Sequence, residues 1–183
     1  MADPERAVAD TRRWLERAVV GLNLCPFAKA VLAKGQVHFA VTGAGEAPAV
    51  LEDFERELQD LLARPPAERD TTLLVIPHGM DDFLAFLDLA GRAERLVRKR
   101  GHEGVVQVAS FHPRFVFAGT AEDDITNFTN RAPYPTLHLL REASIDRAVA
   151  AFPDAAAIYE ANMETLRRLG PEGWHALDVG ARA

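Results

Sequence analysis

Three stretches of the chain concentrate side chains able to do chemistry. One surrounds Cys25, one is Ser110-Phe111-His112-Pro113, and the third, residues 129–142, holds Asn130, Arg131, His138, Arg141 and Glu142. Cys25 precedes a short predicted helix. A thiol at a helix N-terminus is more readily ionised and suits nucleophilic or redox work. His112 is the expected partner, as base or acid. The competing reading of Cys25 is a buried core residue, the commonest setting of free cysteine. Arg131 and Arg141, with Asn130 and His78, are expected to bind substrate, because guanidinium groups fork onto carboxylate or phosphate. Either arginine could instead pin the chain to Glu122, Asp123 or Asp124.

A metal-dependent alternative uses other pairings. His138 and Glu142 lie four residues apart, which places them on one face of a continuous helix. With His112 they make a two-histidine, one-carboxylate set suited to iron or zinc. An exposed His/Glu ion pair is the plain alternative. His78 and His112 each follow an apolar run and flank a proline, and in open α/β sheets ligands gather at the carboxyl ends of strands.

The elements that must position these groups follow from hydrophobic periodicity. A helix from Asp10 or Thr11 to about Gly21 carries Trp14, Leu15, Val19 and Leu22; Pro26 breaks it, and a short helix spans residues 28–33. Alternation predicts a strand at residues 36–42, and Leu51, Phe54, Leu58 and Leu61 mark a helix ended by Pro65-Pro66. Residues 71–76 read as a buried strand, followed by a helix from Asp81 or Asp82 to Arg100. Residues 105–111 form another strand, and 115–117 a short edge strand. A long irregular segment reaches Tyr134. Helices are expected from Pro135 onward, with caps at Ser144 and Asp154, to about Leu169. The expected architecture is one α/β domain over residues 1–183: a small mixed or largely parallel sheet covered by helices, with a helical C-terminal third. The alternative is a ferredoxin-like α+β arrangement.

Composition narrows the function classes. The chain has 183 residues, a net charge of −6, and 48% hydrophobic and 26% charged residues. An acidic balance argues against nucleic acid or an anionic membrane as partner. The basic group Arg92, Arg95, Arg98, Lys99 and Arg100 complements a helix C-terminus. A single cysteine excludes a disulfide framework, and no apolar run reaches membrane-spanning length, so a cytoplasmic protein is expected. Neither Ser110 nor Thr120 sits in a nucleophile elbow, and Gly43-Ala44-Gly45 lacks the third glycine and lysine of a phosphate loop.

Taken together, the segments Gly21-Leu22-Asn23-Leu24-Cys25-Pro26-Phe27-Ala28, Ser110-Phe111-His112-Pro113, Phe117-Ala118-Gly119-Thr120, residues 127–135 and His138-Leu139-Leu140-Arg141-Glu142 are specific. On them the chain resembles a bacterial family, domain of unknown function number fourteen-fifteen, over nearly its whole length. Members similar to this one often carry a histidine at the position of Ile76 and an acidic residue at that of Arg114. The family label implies kinship without an activity. The residues themselves leave three readings: a thiol- or metal-dependent enzyme acting on a small anionic molecule, a metabolite-binding module without turnover, and a scaffold whose polar cluster braces the long loop.

Overall fold

Alternating and continuous apolar runs produce four strands: β1 Val37–Val41, β2 Thr71–Val75, β3 Val106–Phe111 and β4 Thr136–Arg141. The structure, a computed structural model, describes residues 3–151 and 155–181. Spatial order is β1-β2-β4-β3, with β1 and β2 parallel and β4 antiparallel to both its neighbours. The carboxyl ends of β1, β2 and β3 therefore share one rim with the amino end of β4. This is the expected small mixed α/β sheet. The parallel β1–β2 pair departs from the ferredoxin-like alternative.

Helices cover both faces. Helix α1 (Pro4–Trp14) is capped by Asp3, whose carboxylate accepts the Glu5 N–H at 3.2 Å, and Pro4 occupies the first turn, where no N–H is needed. Residues Leu15–Val20 continue it at wider π-helical spacing. Helix α2 is Ala28–Ala33, α3 is Ala47–Ala63, and α4 is Phe83–Lys99, capped by Asp82 accepting from the Ala85 N–H at 2.8 Å. Helix α5 (Glu142–Ala151) and α6 (Ala155–Ala176) follow β4; α6 is broken at Gly170, which has φ 66° and precedes Pro171.

Alternation along the strands divides the core. Leu74, Ile76, Leu137 and Leu139 meet Phe54, Leu58, Phe86 and Leu89 of α3 and α4 on one face. Leu73 and Phe111 meet Trp14, Leu15 and Val19 on the other. Fully burying one such side chain contributes roughly 1.5–3 kcal/mol, and truncating Phe54 would cost about 3–5 kcal/mol. The β2–α4 connection needs close backbone approach. Gly79 has φ 80°, and a Cβ there would collide with the Gly45 backbone.

Four local expectations are corrected. Residues 136–141 are a strand, because Thr136, His138 and Leu140 alternate with Leu137, Leu139 and Arg141 and pair on both sides. Helix α1 starts at Pro4, ahead of Asp10. Residues 115–117 form no strand. Ser144 does not cap a helix, since α5 begins at Glu142; its hydroxyl donates to Asp70 at 2.5 Å. The cap placed at Asp154 lies outside the described residues.

Candidate functional site

The expected thiol–imidazole pair is divided by the sheet. Cys25 is half-buried against the Trp14–Phe111 cluster on the α1 face. His112 is 1% exposed on the α4 side, its ring 5.3 Å from Phe83 and 5.1 Å from Phe86. A carbonyl only accepts, so His112 Nε2–H donates to Met80 O at 2.9 Å, while Nδ1 accepts the Arg114 N–H at 3.0 Å. Both ring nitrogens are committed, and burial lowers the proton affinity of the ring. His112 holds the turns after β2 and β3 together; neither nitrogen is left to accept a proton from Cys25.

The metal set is not assembled either. Strand geometry puts His138 mid-sheet and Glu142 just past the far end of β4, roughly 20 Å from the rim that carries His112. Thr71 Oγ1 donates to Leu139 O at 2.6 Å, so in its 2.5 Å contact with His138 Nε2 the imidazole is the donor. Burial pulls His138 down to about 4, leaving it neutral at physiological pH. Among the described residues, no group of three or more His, Cys, Asp or Glu side chains is placed to hold a metal ion.

The four expected recognition residues also separate. Arg141 lies at the amino rim, where Nε donates to Arg69 O at 3.3 Å and Nη2 to the carbonyls of Leu61 (2.5 Å), Arg64 (2.6 Å) and Arg69 (3.2 Å). It closes the end of α3, a duty of a cation near orphaned helix carbonyls. His78 is half-buried in the turn after β2, on the opposite rim. Asn130 caps the outer side of β3: its Nδ2 donates to Ser110 O at 3.2 Å and its carbonyl accepts the His112 N–H at 3.1 Å.

Of these four, Arg131 borders an open hollow. Its Nε donates to Phe115 O at 3.1 Å, its Nη2 to Glu122 O at 2.6 Å, and the guanidinium lies 4.4 Å from the Phe128 ring centre. Burial lowers its proton affinity, but a guanidinium stays charged. The hollow holds about 350 Å³ and is lined by Arg114, Glu122, Asp123 and Arg131. Asn127, wholly buried, shapes the same segment. Its Oδ1 accepts from Phe117 N–H at 2.9 Å and Thr120 Oγ1 at 2.7 Å, and its Nδ2 donates to Ala121 O at 2.8 Å. The 3₁₀ turn Ile125–Asn130 that presents Asn127 is capped by Asp124, which accepts from the Thr126 N–H and hydroxyl.

Reading single residues missed Asn127, Arg114 and two polar clusters. Tyr134 donates to Asp10 at 2.9 Å, and burial, then that bond, raises the phenol to about 12. Across the sheet, Glu57 approaches His38 (3.6 Å) and Arg69 (3.3 Å); burial raises the carboxyl and lowers the imidazole. The signal for Asn127 was an Asx residue inside a long loop, which commonly bonds local backbone. The other pairings join distant segments and carry no local signature.

Among the described residues no helix is long and apolar enough to cross a membrane. No curated protein and no solved structure matches the chain. The profile of the family described as "Protein of unknown function (DUF1415)" matches residues 6–176. With nearly the entire fold inside that match, from α1 through α6, the chain belongs to this family.

Proposed function

We propose that the protein is a binding module for a small molecule bearing a carboxylate or phosphate group, which docks in the hollow between the turn after β3 and the 3₁₀ turn. The observation that carries this is the setting of Arg131. Two carbonyls and an aromatic face hold its guanidinium before any ligand arrives, at the wall of a cavity of about 350 Å³. A cation already oriented loses little further freedom on binding. Arg114, 65% exposed and 4.0 Å from Glu122, supplies a second, adjustable cation. Turnover is outside the proposal, because Cys25 and His112 face different sides of the sheet.

Thermal-shift measurement on the full chain tests this with inorganic phosphate, simple dicarboxylates and free amino acids. A ligand at a hundredfold excess over its Kd stabilises by about 2.7 kcal/mol. For a chain of this size that is a Tm rise of roughly 5–10 °C. Arg114→Ala should cut the rise at least by about half. No shift with any of these compounds at millimolar concentration would reject the site.

A further inference from the structure

Resting on that reading, we infer that the ligand is a zwitterion: a small molecule carrying a carboxylate and, a few bonds away, an ammonium group. The lining side chains are two cations, Arg114 and Arg131, and two anions, Glu122 and Asp123. A simple anion drawn to Arg131 also meets both carboxylates, so attraction and repulsion largely cancel. A molecule bearing both charges answers both sets of side chains, and one lacking either leaves a set unanswered.

The two sets of charge are coupled through one residue. Arg131 Nη2 binds the carbonyl of Glu122, and Asn127 Nδ2 reaches the same oxygen at 3.5 Å, so the backbone that carries the carboxylate is tied to the guanidinium. Nη1 of Arg131 makes no hydrogen bond among the described residues, which leaves a donor for a ligand carboxylate. The Glu122 side chain is 76% exposed, and its 4.0 Å separation from Arg114 exceeds hydrogen-bond length, so its carboxylate is available to an ammonium group. The cavity of about 350 Å³ sits at the small end for ligand sites and suits a free amino acid or a dipeptide.

Isothermal titration calorimetry on the full chain tests the assignment. The probes are the free L-amino acids and L-alanyl-L-alanine, followed by the N-acetyl and carboxamide forms of the tightest binder. Each blocked form should bind at least about tenfold more weakly, the loss of one charged contact. In the double variant Glu122→Gln, Asp123→Asn, the gap between the free and acetylated probes should close to within about twofold. Both substituted side chains are exposed, so the variant keeps its fold. Equal binding of the acetylated probe, lost in Arg114→Ala, would overturn the zwitterion and leave the anion site standing. Binding of dicarboxylates without any amino acid or dipeptide would do the same. Silence from every probe would overturn both.

Discussion

The two ends of β4 carry arginines from one contiguous stretch of sequence, and the structure uses them in opposite ways. At the carboxyl end, Arg141 spends Nε and Nη2 on three carbonyls where α3 and β2 meet. Just before the amino end, Arg131 spends two donors on the long loop and turns the rest toward an open hollow. A guanidinium has five N–H donors, so the same side chain closes a core in one place and presents charge in another. The difference lies in what surrounds each group: helix-end carbonyls at one rim, an open hollow at the other.

The sharpest way to break that comparison is Arg141→Ala. Several carbonyls would lose a charged donor, at a cost of about 3 kcal/mol, read as a urea midpoint lower by roughly 1–2 M. Per folded molecule, the thermal shift given by a ligand should be unchanged. A variant of wild-type stability with ligand response gone would exchange the roles assigned to the two ends.

Acid should separate the sheet from the hollow at intermediate scale. His138 in the fold is depressed to about 4 from an ordinary 6.5, so the unfolded chain takes up the proton first as pH falls. Its contribution is whole above pH 6.5 and is lost between 6.5 and 4; His112, also lowered by burial, acts in the same direction. Because His138 keeps partial contact with solvent, the loss by pH 5 is discounted to about 1 kcal/mol. His138→Gln retains a donor for Thr71 without titrating. Urea midpoints at pH 7.5 and 5 should therefore fall further in the wild-type protein than in this variant. Equal falls would remove His138 from the account.

The smallest stability effect belongs to Arg114→Ala. An exposed side chain with one distant ion-pair partner contributes within about 0.5 kcal/mol, so the unfolding midpoint should hardly move while ligand affinity drops at least about tenfold. A marked loss of stability would make Arg114 a brace like Arg141.

Much of the fold was legible because burial writes a period into the chain. The run at β2, the alternation at β1 and the cap at Asp82 each follow from neighbours in sequence. Residues 136–141 misled because Leu139, Leu140, Arg141 and Glu142 favour helix, whereas the gap between β2 and β3 demanded a strand. That one change dissolved the His138–Glu142 pair. At the hollow, Arg131 was legible as a cation and Glu122 and Asp123 as its neighbours. Which arginine would face solvent was not, because it depends on Asn127 and on carbonyls from separate turns.

The outer margin of β3 has its own consequence. Glu142 N–H bonds Val105 O, so odd-numbered positions of β3 face β4 and Val106, Val108 and Ser110 direct their peptide groups outward. His102 O already takes the Val106 N–H, and Asn130 already serves Ser110 O and the His112 N–H. Among the described residues, the open groups on this edge are Val106 O, the Val108 N–H and C=O, and the Ser110 N–H, a short stretch, although Val105 to Phe111 holds neither charge nor proline to deter an incoming strand. Asn130, marked from sequence as a recognition residue, thus shortens the edge along which a second chain could pair.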